Sequence, residues 1–251
     1  MSWSEIFLVL GTGIITGIIN TLAGSGSLIS LPVLMFIGLP PNVANGTNRI
    51  GIFFQNIVSS YHFYRKGILD IKTGIKIALP SILGSVLGAF IVLELRERII
   101  EIVVAVVMFI MLIPLLFKPS GWLHGKNEIT HEHKNFLITF VLFFFIGIYG
   151  GFIQAGVGIF LLSALVLYEG FDLVRANALK VFVNLIFTPF ALAVFIFNDQ
   201  INIMAGLVLA VGNSAGAYVA SRYAVKKGSG FVRYVLITVI ILAGIKLLFF
   251  S

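Results

Sequence analysis

The chain is written twice, and that duplication limits what it can fold into more than any other feature. Displaced along itself by 132 positions, the sequence brings Gly24 onto Gly156, Gly26 onto Gly158 and Gly38 onto Gly170. The match continues with Ala44-Asn45 on Ala176-Asn177, Gly74 on Gly206, Ala78 on Ala210 and Gly84 on Gly216. The residues between these anchors are mostly apolar. A duplicated apolar chain, interrupted by glycine at matching places in both halves, has the sequence pattern of a secondary transporter.

Composition places the repeat in a membrane. The chain is 59% hydrophobic and only 11% charged, against about 45–50% and about 25% in soluble domains. Ten apolar segments follow, five in each half. The first half has Ile6–Ala23, Leu28–Gly38, Val43–Tyr64, Thr73–Leu93 and Ile99–Phe117. The second has Phe136–Ala155, Ile159–Tyr168, Asn177–Phe197, Ile203–Ser221 and Tyr234–Phe250. Helices are required, because backbone groups in lipid must be satisfied within the segment, and the alternation of a membrane β-barrel is missing. The second segment of each half reaches only about 15–17 Å of a core about 30 Å thick. It reads as half of a broken or re-entrant helix, turning at Gly24-Ser25-Gly26-Ser27 or at Gly156-Val157-Gly158. The expected fold is an all-α integral membrane protein of two inverted repeats, each of about four to five transmembrane segments with a Gly-centred broken or re-entrant helix. Residues 1–118 form the first repeat, 119–135 a connection and 136–251 the second repeat.

Charge sets the orientation. The net charge of +7 sits mostly in short connections, which fits membrane loops and not nucleic-acid binding. Arg65, Lys66, Lys72 and Lys76 crowd one connection of the first half, and the matching Asn198–Asn202 has no base. The next connection reverses the bias: Arg96 and Arg98 are offset by Glu94, Glu97 and Glu101, whereas Arg222, Lys226, Lys227 and Arg233 are not. By the positive-inside rule equivalent loops lie on opposite faces, the middle connection is cytoplasmic and both termini lie outside.

Two constellations point to an anion. A half-helix starting at mid-membrane exposes free N–H groups and about +0.5 of a charge. Two such ends, near Ser27 and Ile159, would meet between the repeats, with Gly24, Gly26, Gly156 and Gly158 allowing close approach and Ser25 and Ser27 adding hydroxyls. Arg49 and Lys180 form the second pair. Asn48 is the 132-residue counterpart of Lys180, and each cation follows an anchor amide, Asn45 or Asn177, within about a turn. A cation in mid-membrane marks function by default, and one from each half would neutralise a divalent anion. Snorkelling to the headgroups is the alternative. Asn20 and Gln154 occupy analogous places ahead of the two turns. Thr47, Asn184 and Ser214 stand open between site and packing, whereas Gln55, Asn56 and Asn213 read as interhelical glue.

The glycine ladder Gly13, Gly17, Gly24, Gly26, followed by Pro32, Leu34, Gly38 and Ala44-Asn45-Gly46-Thr47, resembles the TauE/SafE sulfite exporter family of membrane transporters. The second half repeats it as Gly147, Gly151, Gly156, Gly158, then Ala176-Asn177-Ala178-Leu179-Lys180 and Asn184. Where family members often show three glycines, this chain has Gly26-Ser27 and Gly158-Ile159. The resemblance implies a bacterial inner-membrane carrier of small sulfur-containing anions such as sulfite, sulfonates such as sulfoacetate, or related carboxylates. Export by alternating access is the expected mode, with an anion channel or a non-catalytic membrane subunit as alternatives.

The remaining residues narrow the class. All ten acids fall at segment ends or in connections, so a carboxylate relay has no obvious residues. Cysteine is absent, and no acid–base pair stands in the core, which argues against an enzyme. His124, His131 and His133, with Glu128 and Glu132, form a solvated loop and not a metal site. No metal or cofactor is expected. The partners expected are a small anion, the lipid bilayer and a second copy in a homodimer.

Overall fold

The computed structural model describes residues 1–96, 98–100, 102 and 135–249, the stretch 228–249 by its backbone course alone. The described residues form helices without a strand: α1 (Trp3–Leu22), α2 (Ser27–Phe36), α3 (Pro41–Arg65), α4 (Ile71–Leu93), α5 (Phe136–Phe152), α6 (Val157–Ser163), α7 (Leu173–Phe197) and α8 (Ile203–Phe249). Local chemistry starts them. Ser2 and Glu5 make a reciprocal capping box on α1, and Pro41 opens α3 where its missing N–H costs nothing. Asp70 accepts from the Lys72 and Thr73 amides to open α4, and 132 residues later Asn202 accepts from the Ala205 amide to open α8.

Among the described residues, four helices are long and apolar enough to cross a membrane: Trp3–Leu22, Ile71–Leu93, Leu173–Phe197 and the Ile203–Lys227 part of α8. At 25 residues α3 equals α7 in length. Its buried Asn45, Thr47, Asn48, Arg49, Gln55, Asn56, Ser59 and Ser60 hold its hydropathy down. The half-length expectation holds for α2, with 10 residues, and for α6, whose 7 residues continue into a five-residue π turn, Ala164–Tyr168.

The two halves interlock by exchange. The first helix of each half lies on the fourth helix of the other, α1 on α8 and α5 on α4. Likewise α3 lies on α8 and α7 on α4, while α3 and α7 meet each other. Glycines set the closeness. A Cβ on Gly17 would collide with the Asn213 carbonyl, and one on Gly147 with the Ser81 carbonyl. Gly84 abuts the Phe144 carbonyl as Gly216 abuts the Ile14 carbonyl. Gly13 faces Leu209 and Gly17 faces Asn213, so α1 and α8 run in the same direction; Gly147 on Ser81 and Gly151 on Ser85 give the same sense for α5 and α4.

These contacts correct the register. They superpose when α1 and α5 are offset by 130 residues, Gly17 matching Gly147, while the later helices keep 132, Ser81 matching Asn213. The reason is a two-residue insertion. α1 ends at Leu22 and α5 at Phe152, and Ile153-Gln154-Ala155 stands where the first half has only Ala23 before its glycine. Ile153 is extended, with φ −135° and ψ 117°. Asn20 and Gln154 are therefore not analogous: Asn20 lies inside α1 and matches Gly150, and Gln154 lies in the insertion. The segment Phe136–Ala155 correspondingly loses its last three residues from the helix.

A second difference concerns the end of the chain. Ile203–Ser221 and Tyr234–Phe250 were expected as separate segments, but one 47-residue helix runs from Ile203 to Phe249. Gly228-Ser229-Gly230 weakens a helix by about 1 kcal/mol per glycine without blocking it, and no proline follows. The segment Ile99–Phe117 and the connection 118–134, with its histidines, fall almost wholly outside the described residues.

Candidate functional site

The two glycine turns meet. Gly24 and Gly156 are both left-handed, at φ +80° and +75°, a conformation glycine adopts without strain. A Cβ on Gly24 would strike the Gly158 backbone, and one on Gly158 would strike Gly24. Beside this contact lies a small polar cavity. The first half lends it Asn20, Gly24, Ser27, Gln55 and Asn56; the second lends Gln154, Gly158, Lys180 and Asn184, with Ile52 and Val157 as apolar walls.

Lys180 is 2% exposed. Its Nζ donates to the carbonyls of Asn20 and Thr21, each at 2.9 Å. These are carbonyls of the last turn of α1, at the negative end of its dipole, and the Asn20 carbonyl also accepts from the Gly24 amide. Arg49 does the same for the other half. Its guanidinium donates to the carbonyls of Gly150 at 2.9 Å and Gly151 at 2.6 Å, in the last turn of α5. In the 130-residue register Asn20 and Thr21 match Gly150 and Gly151. Each cation thus closes the same pair of carbonyls on the other half's first helix. Among the described residues no Asp or Glu is buried, so helix ends stand in for carboxylates.

The two cations then part ways. Arg49 is fully buried, lies 4.7 Å from the Phe195 ring centroid and does not line the cavity. Lys180 does. One cation, not two, faces the space between the turns.

Of the sequence-derived site residues, the structure gathers Gly24, Ser27, Gln154, Gly158, Lys180 and Asn184 around the cavity. The others lie outside its wall. Asn45 donates to the Phe152 carbonyl and accepts from Arg49. Thr47 accepts from the Asn202 amide, and Asn48 accepts from Ser30. Ser25 and Asn177 are buried, Gly26 packs on Thr16, and Gly156 provides the turn.

The amide ends of the half-helices are more occupied than expected. The Ser27 N–H goes to Asn20 Oδ1 at 3.3 Å, and the next three amides of α2 go to the Ser25 and Gly26 carbonyls. The second half-helix begins at Val157, two residues ahead of Ile159. Side chains, not free backbone amides, dominate the donors here.

Sequence reasoning placed Gln55 and Asn56 among interhelical contacts. They do bond to neighbours, Asn20 Nδ2 to Gln55 Oε1 and Gln55 Nε2 to Asn56 Oδ1, both at 3.4 Å, yet they also line the cavity. The signal was the run of polar residues at Asn48, Gln55, Asn56 and Ser59, on the face of α3 that carries Ile52. Asn213 does act as a helix bridge, its Oδ1 accepting from Thr16 at 2.7 Å.

Comparison with known proteins fits this architecture. The family model of the sulfite exporter TauE/SafE matches residues 9–247. A probable membrane transporter protein, ORF9, from Sinorhizobium is 29% identical over 93% of this chain and 88% of its own. A probable membrane transporter protein of Haemophilus influenzae is 27% identical over 88% of this chain and 86% of its own. The probable membrane transporter protein YfcA of Escherichia coli K12 is 26% identical over 94% and 87%. No solved structure matches. The chain belongs to the sulfite exporter TauE/SafE family, and it is a membrane transporter.

Proposed function

We propose that this TauE/SafE transporter carries a small oxyanion, sulfite or a sulfonate such as sulfoacetate, out of the cell across a bacterial inner membrane. The observation that carries the proposal is Lys180, a buried cation without a carboxylate, in the wall of a polar cavity where the two glycine turns touch. A cation so placed, with one N–H left after its two carbonyl bonds, offers an anion a charged donor, and the family supplies the class.

The mode is alternating access between two inverted repeats. Three observations support it. The paired exchange of helices between halves has the form of a two-fold axis. The basic loop at Arg65–Lys76 and the base-free loop at Asn198–Asn202 occupy equivalent positions, which the positive-inside rule assigns to opposite faces. The half-helices turn at the protein centre, where irregular backbone is tolerated because it is buried in protein. His62 meets the Tyr218 ring, so the basic end of α3 and the basic stretch 222–227 of α8 lie on one side, which the positive-inside rule assigns to the cytoplasm. Those bases would concentrate anions at that face, in keeping with export.

The test is thermal stabilisation of detergent-purified protein by sulfite, thiosulfate, sulfoacetate, sulfate, acetate and chloride, followed by counterflow in proteoliposomes. A ligand bound only by the folded state stabilises in proportion to its concentration over Kd. Stabilisation by a sulfur oxyanion or sulfonate, lost in Lys180→Ala, together with saturable counterflow, supports the carrier. Flux that never saturates points to a channel, stabilisation by acetate alone to a carboxylate carrier, and no response to any anion overturns the proposal.

A further inference from the structure

The polar atoms of the cavity say more about the anion than its sign, given the anion-carrier role proposed above. Lys180 is the one cation in the cavity wall among the described residues, and two of its three N–H donors are spent on carbonyls. Gln154 is held by two neighbours. Its Nε2 donates to Asn184 Oδ1 at 3.0 Å and Thr188 Oγ1 at 2.9 Å, and Thr188 donates in turn to Asn184 Oδ1. With Asn184 and Thr188 oriented in this way, rotating the Gln154 amide would set oxygen against the Asn184 oxygen, so Oε1 is the free end. That oxygen is buried without a partner, and so is Asn56 Nδ2. Gln154 is 1% exposed and Asn56 fully buried. Gln154 and Asn56 both line the cavity, so the residues of its wall carry an unused acceptor and unused donors, and buried polar groups of this kind are met by partners in native structures.

We infer that the site takes a monovalent oxyanion that keeps one O–H donor, a hydrogen-oxyanion and not the fully ionised dianion. Its ionised oxygens meet Lys180 and Asn56 Nδ2, and its hydroxyl donates to Gln154 Oε1. A dianion would bring one charge too many into a low-dielectric site and set an oxygen against the Gln154 carbonyl. The two-cation, divalent arrangement fails because Arg49 is committed to Gly150 and Gly151. A proton then travels on the substrate, and the membrane core needs no carboxylate to carry it.

The experiment compares bicarbonate with acetate on the full chain by calorimetric titration, since these monoanions share charge and shape and differ in hydroxyl for methyl. Sulfite is titrated below and above its second ionisation, with acetate at each pH correcting for changes in the protein, and sulfate serves as the fixed dianion. The expected result is bicarbonate about tenfold tighter than acetate, apparent sulfite affinity falling as the dianion replaces hydrogen sulfite, and sulfate weakest. Gln154→Met should bring bicarbonate and acetate together with acetate little changed. Should that variant fail to fold, the wild-type comparisons decide alone. Equal binding of bicarbonate and acetate, or tighter binding of sulfate or of the sulfite dianion, overturns this inference and leaves the anion carrier standing. No binding of any anion overturns both.

Discussion

Lys180 and Arg49 are buried charges of one residue class at nearly matched positions, yet their environments assign them different work. Both satisfy carbonyls at a helix end, and each hydrogen bond to a charged group is worth about 1.5–3 kcal/mol. Arg49 has Asn45 and Phe195 as further neighbours and no cavity. Arg49→Ala is expected to destabilise the protein by on the order of 3 kcal/mol, leaving the Gly150 and Gly151 carbonyls without their donor. The surviving folded fraction should keep its ligand response. Lys180→Ala is expected to lose the ligand response, with a stability loss of its own from Asn20 and Thr21. Thermal melts of both variants, with and without sulfite, check this; a ligand response lost in Arg49→Ala and kept in Lys180→Ala would reverse the assignment. The sequence marked both residues because apolar helices rarely carry charge. It could not separate them, since what a side chain faces depends on which helix arrives from the other half.

At the scale of elements, glycine spacing means packing at some sites and nothing at others. Gly17 sits against the Asn213 backbone and Gly11, six residues earlier in the same helix, has open space around it. Gly17→Ala is expected to cost about 1–3 kcal/mol through overpacking, whereas Gly11→Ala should raise stability by about 0.5–1 kcal/mol from helix propensity. Paired melting curves check the contrast, and equal shifts would refute the close α1–α8 contact. The start of α4 offers a pH-dependent test. The Thr73 hydroxyl, at 2.6 Å, is the chief cause that holds the Asp70 carboxyl below its ordinary range, with the Thr73 and Lys72 amides adding to it. A carboxyl depressed on folding stabilises above its unfolded pKa and loses that contribution as pH falls through the folded value. Asp70→Ala should therefore melt lower than wild type at neutral pH, and the gap should close in acid. Helix existence was legible here from apolar run length and caps. The insertion at Ile153-Gln154-Ala155 was not, because its apolar and glycine neighbours continue the helical pattern without a break.

At the scale of the whole molecule, parallel packing puts the basic end of α3 beside the middle of α8, near Tyr218. The absence of cysteine makes the topology directly measurable. Single variants Lys66→Cys and Lys226→Cys are expected to react with an impermeant thiol reagent only from the cytoplasmic side. Asn198→Cys should react only from outside. Labelling of all three from one side would remove the inverted arrangement and with it the alternating-access mode.

Sequence alone determined the class: a duplicated, apolar, cysteine-free chain with half-length segments after its glycines must be a helical membrane protein, since lipid leaves the backbone few other ways to satisfy itself. It determined the family through the glycine ladder and placed Lys180, Gln154 and Asn184 among the residues of interest. Tertiary structure decided the rest. Exchange of helices between halves set the 130-residue register of α1 and α5, withdrew Arg49 behind Phe195, and turned Gln55 and Asn56 toward the cavity. The physical reason is that burial and hydrogen-bond partners in a helical membrane protein come from other helices, and spacing along one helix fixes its faces without saying what will lie against them.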